Sequence, residues 1–354
     1  MPDDRKQLFF CFLSAIPQPH IAHRKRTDPE IDHRIVRIPG KHLIRFLRCG
    51  KQRLLGRQRR DLAQQIPMSQ YEQKLAVSVK EFNHIPDEHI AAEMLVDLGA
   101  KVYALDFNEC PVEGIEKFVK VNLSEKASID EAFHQIPDHI DSFFGIAGVS
   151  GIKTDFNTTV AIDLIANTYI TEEYLAKRMT KGGAIAYITS TGGIYWDKEG
   201  NRKYYMPVLE ADGWEGRTAV LESMHLNVLP GMLGYMFAKC AMNGYVAMIQ
   251  KDFAPKGIRV NALLPGSTDT GMKSEFEIAA GGEDKLLASA GYAGRLAVPE
   301  EMGRPVVFLN SDMASFISGE LLTVDYGCVI EEQAGLRQPA TVEFDLIMKK
   351  MQSR

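Results

Sequence analysis

Tyr235-Met236-Phe237-Ala238-Lys239 stands between the strand-like run Ala184-Ile185-Ala186-Tyr187-Ile188-Thr189-Ser190 and a second run, Val260-Asn261-Ala262-Leu263-Leu264, that leads into Pro265-Gly266. Read as a helix, the first stretch puts Tyr235 and Lys239 one turn apart on the same face. An ammonium roughly 4 Å from a phenolate, at an effective dielectric of about 20, attracts it by about 4 kcal/mol, enough to bring a tyrosine from its usual pKa of roughly 10 towards neutrality. A tyrosine tuned in this way exchanges protons with an alcohol or a carbonyl at physiological pH. The spacing by itself is common on solvated helix faces. Its setting gives it weight: of the twelve tyrosines, Tyr235 alone is followed by a lysine four residues on, and it sits between two strand-like runs.

Working outward, the apolar pattern alternates between strand and helix. Residues 74–79 and 101–106 read as strands, with a helix from about Asp87 to Leu98 between them. Such a β-α-β unit opens a doubly wound parallel sheet. Further strands are expected near 119–121, 142–146, 184–188, 259–264 and 321–325, with helices in the gaps. Right-handed crossovers then leave ligands to bind beyond the carboxyl ends of the strands.

The order of these motifs resembles the short-chain dehydrogenase/reductase family: a serine at the end of one strand, a Tyr-x-x-x-Lys helix, then a strand running into Pro-Gly-x-x-x-Thr. The matching residues are Ser190, Tyr235, Lys239 and 265–270. The resemblance continues through the Pro-Glu-Glu helix start within 294–302, a helix end at 307–312 and a last strand within 318–327, and it covers roughly residues 74–327. It implies a Rossmann-type α/β domain and an oxidoreductase interconverting a secondary alcohol and a ketone with NAD or NADP. Tyr235 would be the general acid/base. Lys239 would lower its pKa and touch the nicotinamide ribose, Ser190 would hold the substrate oxygen, and Thr270 would reach the cofactor. Pro265, Gly266, Thr268, Ala147 and Gly148 complete the expected cofactor lining. Asp106 closes the second strand, where a carboxylate accepts hydrogen bonds from the adenosine ribose and repels a 2′-phosphate, which favours NAD. The plainer reading of Asp106 is a strand-end turn residue.

The chain departs from the family at several positions. Where the first β-α turn should read Thr-Gly-x-x-x-Gly-x-Gly, residues 78–88 read Ser-Val-Lys-Glu-Phe-Asn-His-Ile-Pro-Asp-Glu, without a glycine. Pro86, Asp87 and Glu88 suit a helix start, but two carboxylates then stand where a pyrophosphate would sit. Ile146 replaces the asparagine of Asn-Ala-Gly, and Asn122 stands where an aspartate meets the adenine. Asp163 stands where an asparagine holds a proton-relay water. One rival to an enzyme follows, a catalytically silent binding or regulatory protein of the same fold; a third reading is a sequence artefact, a local frameshift that has overwritten a normal Gly-rich turn.

Forty-four residues separate Ser190 from Tyr235. A similarly long insert is seen in bacterial 3α-hydroxysteroid dehydrogenase/carbonyl reductases, which the tail after Gly327 also resembles. Residues 195–229 hold Tyr195, Trp196, Tyr204, Tyr205 and Trp214. They are read as an apolar lid over a bulky alcohol such as a hydroxysteroid, as a dimer surface, or as an excursion packed by its own aromatics.

Composition bounds the rest. With 354 residues, 45% of them hydrophobic, the chain can bury a sizeable core, and no apolar run reaches the length of a membrane span. Five cysteines and nine histidines show neither pairing nor metal-ligand spacing. The expectation is a cytoplasmic protein without a metal site, a homo-oligomer (dimer or tetramer) acting on small molecules and using neither nucleic acid nor membrane. Net charge is sharply divided: residues 1–70 carry +9 and residues 71–354 carry −14. The basic first segment lacks periodicity that would bury a core, and three readings compete for it: a nucleic-acid tail, a targeting peptide, or translated leader upstream of a start at Met68. We expect residues 1–67 to be a disordered or spurious extension, and residues 68–354 to form a single domain.

Overall fold

The computed structural model describes residues 75–80 and 89–353. The N-terminal extension and most of the glycine-free turn, residues 81–88, lie outside the described residues. Chain contacts divide the protein into residues 1–70 and 71–354, and everything below concerns the second unit.

Seven parallel strands form one sheet in the order β3-β2-β1-β4-β5-β6-β7. They are β1 (Leu75–Lys80), β2 (Lys101–Asp106), β3 (Lys117–Lys120), β4 (Ser142–Gly145), β5 (Ala184–Ile188), β6 (Arg259–Pro265) and β7 (Leu321–Val324). All seven expected strands form, with ends shifted by one or two residues. The register runs Ala76 opposite Val102 and Ser142, and Ala184 opposite Arg259. Strand order reverses between β1 and β4, so the chain leaves the two in opposite directions and a crevice opens at their carboxyl ends.

Strands buried on both faces are expected to be apolar on both, and β4, β5 and β6 largely are, with Ser142 and Asn261 the buried polar exceptions. Phe143, Ile185, Val260, Ala262 and Leu264 enter one core cluster, whereas Phe144, Ala186 and Leu263 enter the other. The smaller cluster is covered by α1 (Ile90–Asp97) and α9 (Pro299–Asn310). Helix α9 begins with Pro299 at its first position, and the Glu301 carboxylate accepts from the Val298 amide at 2.9 Å, a start that satisfies an otherwise unpaired donor.

The larger cluster is covered by α2 (Lys126–His134), a long helical run α3 spanning residues 156–178, and α6 (Gly231–Met248). Two π turns, Ala161–Ile165 and Thr171–Leu175, interrupt α3. The first carries Asp163; such turns rotate a side chain out of the regular helical spacing. Helix α6 contains a single β-branched residue, Val246, and most of its length is buried.

The insert folds as two helices, α4 (Glu199–Glu210) and α5 (Gly213–Ser223). Tyr205, Val208, Leu209 and Leu221 are buried in the larger core. The Tyr205 ring lies against Gly244 of α6, where a Cβ would come within 2.9 Å of it. Arg217 pairs with Glu172 of α3 through two hydrogen bonds of 2.7 and 2.8 Å. Beyond β6 come α7 (Lys273–Ala280) and α8 (Glu283–Ser289), and beyond β7 α10 (Cys328–Gln333) and α11 (Phe344–Gln352). Helix α11 docks on the insert: the Phe344 amide donates to Asn201 at 2.7 Å.

Candidate active site

Three strand ends and one helix build the site. The β5 strand delivers Ser190, extended at φ −170°, immediately before a helical turn whose Gly192 amide donates to Ser190 Oγ at 3.0 Å. That turn presses on α6 through Gly193, where a Cβ would come within 2.6 Å of the Lys239 carbonyl oxygen. Only glycine permits this approach, and it brings the Ser190 hydroxyl into hydrogen-bonding contact with Tyr235. One turn further along α6, Lys239 Nζ lies 5.2 Å from the centre of the Tyr235 ring.

Lys239 is not a lone charge. Asp163 Oδ2 lies 3.2 Å from its Nζ, and both side chains are buried. Asp163 Oδ1 accepts from the Val149 amide at 2.7 Å, which ties α3 to the loop after β4. The Ile188 carbonyl oxygen is 3.5 Å from the same Nζ. Burial favours a neutral lysine, yet the Asp163 carboxylate and Tyr235 outweigh it and hold the Lys239 pKa above its ordinary value. Burial likewise raises the Asp163 carboxyl, opposed by Lys239.

This environment corrects one expectation. Lys239 does not bring Tyr235 to neutrality, because burial dominates and leaves the phenol above its usual value; Lys239 and Ser190 pull it down, while Asp163 raises it again. The Asp163 carboxylate opposes the ammonium at the phenol, but it is the smallest of these influences; burial decides the direction.

A cavity of about 360 Å³ opens on Ser190, Tyr235 and Lys239 at the carboxyl ends of β4, β5 and β6. Of the expected cofactor residues, Gly148, Pro265, Gly266, Thr268 and Thr270 line it. Asp163 reaches this wall through Lys239. Three others stand apart from it. Ala147 is buried in the larger core. Asp106, at the end of β2, accepts from the Asn108 amide at 2.8 Å. Asn122 spends its side chain on a local turn, accepting from Ser124 and donating to Glu125.

The lid expectation is also corrected. No residue of 195–229 lines the cavity among the described residues, because the insert is held on α3 and α6 by Tyr205 and Arg217. Its aromatics pack into the protein instead. The apolar wall comes from residues that the sequence reading did not single out: Met232 and Met236 on α6, Met272 and Phe276 at α7, Leu286 on α8, and Met302 on α9. The Phe276 ring meets Tyr235 edge-on with centroids 5.7 Å apart. The apolar residues after Thr270 were the available signal, but nothing in their spacing says that they fold back over Tyr235. Among the described residues there is no cluster of potential metal ligands and no helix long and apolar enough to cross a membrane.

Comparison with known proteins places these features in context. Residues 201–329 match the family described as enoyl-(acyl carrier protein) reductase. The 3-oxoacyl-[acyl-carrier-protein] reductase of Chlamydia trachomatis is 31% identical over 187 residues, covering 51% of this chain and 70% of that protein. The coniferyl-alcohol dehydrogenase of Pseudomonas sp. is 27% identical over 236 residues, covering 67% of this chain and 89% of the relative. Against some relatives of higher identity, 38% and 42%, the chain spans only 37% of their length. Among solved structures, the 3-alpha-hydroxysteroid dehydrogenase from Pseudomonas sp. B-0831, crystallised with NADH, superposes with a TM-score of 0.58 at 18% identity, covering 75% of this chain and 100% of that one.

Proposed function

Because this chain belongs to the short-chain dehydrogenase/reductase family, we propose that it is a nicotinamide-dependent oxidoreductase interconverting a secondary alcohol and a ketone. The observation that carries this reading is the convergence of Ser190, Tyr235 and the Lys239–Asp163 pair on one wall of a largely apolar cavity.

The residues present fit a dinucleotide laid along the strand ends. Gly148 lines the cavity where a Cβ would stand 3.0 Å from Lys239 Nζ and 3.2 Å from Asp163 Oδ1, so the bare backbone keeps that wall open. Pro265, Gly266, Thr268 and Thr270 would hold the nicotinamide end, Lys239 its ribose, and Asp106 the adenosine ribose. A buried acid at 106 favours NAD over NADP.

When bound, the nicotinamide supplies the hydride acceptor for oxidation and the hydride donor for reduction. The chain's own groups handle the proton. Ser190 Oγ, oriented by the Gly192 amide, hydrogen-bonds the substrate oxygen. In reduction, the Tyr235 phenol gives its proton to the oxygen as negative charge develops there; in oxidation, the phenolate takes the hydroxyl proton. The Lys239 ammonium, kept charged by Asp163, stabilises that phenolate. Asp163 is also the proposed anchor for a water that passes the proton onward.

Lining chemistry narrows the substrate. Lys239 is the one charged residue on the cavity wall among the described residues, and it is already paired. A charged substrate would find no counter-ion, whereas four methionines and Phe276 suit a bulky, uncharged, apolar alcohol such as a hydroxysteroid. A homo-oligomer in the cytoplasm completes the reading; Cys240 and Cys328 are free thiols, as a reducing compartment keeps them.

The test is turnover of bulky secondary alcohols and ketones with NAD(H) and NADP(H). Tyr235→Phe is expected to lower turnover roughly 10²–10⁴-fold while leaving the dissociation constant for NADH essentially unchanged. Equal turnover by wild type and Tyr235→Phe would remove the role given to Tyr235. The glycine-free stretch 78–88 favours a second reading, a catalytically silent binding or regulatory protein. Absence of NADH and NADPH binding by calorimetry would decide for it.

A further inference from the structure

One buried acid beside the site has no part in the proton transfer. Glu275, on α7, is 3% exposed and immediately precedes Phe276, whose ring packs on Tyr235. Its Oε1 lies 2.6 Å from Lys153 Nζ. Its Oε2 accepts from the hydroxyl of Ser150, which is wholly buried and also takes the Ile152 amide at 3.1 Å. Both partners lie on the loop that follows β4.

That loop is fixed to the helix carrying Tyr235. Gly151, at φ +79°, packs so closely on Gly231 that a Cβ would fall 2.1 Å from the Gly231 carbonyl, and a Cβ on Gly231 would fall 2.0 Å from the Thr154 oxygen. Neither position admits a side chain. By contrast, the ion pairs of Lys273, with Asp269, Glu277 and Glu283, all stay within the segment 269–283 and tie α7 to nothing beyond it. Glu275 is therefore the charged group that reaches from α7 to the rigid side of the cavity. A carboxylate taken out of water is tolerated only while its partners are kept, so moving α7 away breaks both contacts together and leaves the Ser150 hydroxyl proton without its acceptor.

We propose that Glu275 is a positioning residue: it latches α7 to Ser150 and Lys153, so that Met272 and Phe276 close on the substrate beside Tyr235, and it thereby sets how tightly the alcohol or ketone is held. This rests on the oxidoreductase reading above. Acting through Phe276 rather than on the reacting atoms, it governs substrate affinity and not the chemical step.

Two readouts test it. In steady-state kinetics Glu275→Ala is expected to raise KM for the ketone about tenfold with kcat unchanged or higher, and to leave NADH affinity as in wild type. Glu275→Gln, which keeps a hydrogen bond to Ser150, should recover part of the loss; adding Ser150→Ala to Glu275→Ala should cost little more than Glu275→Ala alone. In amide hydrogen exchange, Glu275→Ala should speed exchange across residues 272–280 while residues 235–248 stay protected. Wild-type KM and wild-type exchange in Glu275→Ala overturn the latch, as does a loss confined to kcat. Should the wild-type protein turn over no alcohol or ketone, faster exchange at 272–280 in Glu275→Ala still sustains the latch, and it is the oxidoreductase reading that falls.

Discussion

Tyr235 is held by opposing influences, and their balance fixes which direction of reaction each pH favours. Burial is the largest of them and keeps the phenol protonated above the ordinary tyrosine range; Lys239 and Ser190 pull the other way, and Asp163 reinforces burial. Reduction needs the protonated phenol, so it should persist through neutral pH and fall only as pH rises through the Tyr235 pKa. Oxidation needs the phenolate, so its kcat/KM should climb with pH through the alkaline range. Lys239→Met removes the cation that lowers the phenol and leaves Asp163 uncompensated; the alkaline limb of oxidation should then move to higher pH. A pH–rate profile of alcohol oxidation for both proteins checks this, and a flat wild-type profile above neutrality would contradict it. The Tyr235–Lys239 pair was legible because helical spacing alone puts residues four apart together. Its compensating acid was not: Asp163 lies 76 positions away from Lys239 in the chain, and a π turn aims it.

Among the elements, the insert shows how a segment's composition can be read while its contacts cannot. Its aromatics marked 195–229 as apolar enough to pack, and the same residues serve equally for a lid or for a helical pair laid on the core. Gly244 decides between them, since its missing side chain makes room for the Tyr205 ring. Gly244→Ala should overpack this contact at a cost of about 1–3 kcal/mol, lowering Tm by several degrees while kcat and KM stay as in wild type. Calorimetry and kinetics on the same preparation test it; a large change in KM without a change in Tm would return the insert to the active site. The structure adds a second task for the insert, as the seat of α11 through Asn201 and Phe344.

For the whole molecule, residues 78–88 contain no glycine where a Rossmann sheet would meet a dinucleotide. A sequence without glycine there offers no bare backbone for a pyrophosphate to approach, and Asp87 and Glu88 add negative charge to the same stretch. Restoring a Thr-Gly-x-x-x-Gly-x-Gly turn there should tighten NADH binding at least about tenfold, about 1.4 kcal/mol. Titration calorimetry on both proteins measures it, and low-micromolar binding by the native chain would mean that the strand ends hold the cofactor by another route. The sequence alone determined the parallel sheet, the order of its strands along the chain and the pairing of Tyr235 with Lys239, because period-2 and period-3.6 apolar patterns and short-range spacing are properties of adjacent residues; Ser190 followed only from the resemblance in motif order. Only the tertiary structure decided that Asp163 faces Lys239, that α7 rather than the insert walls the cavity, and that Glu275 joins that wall to Ser150. Those contacts are made between residues far apart in the chain, and their partners are set by which backbones can approach closely, at Gly148, Gly151, Gly193 and Gly231.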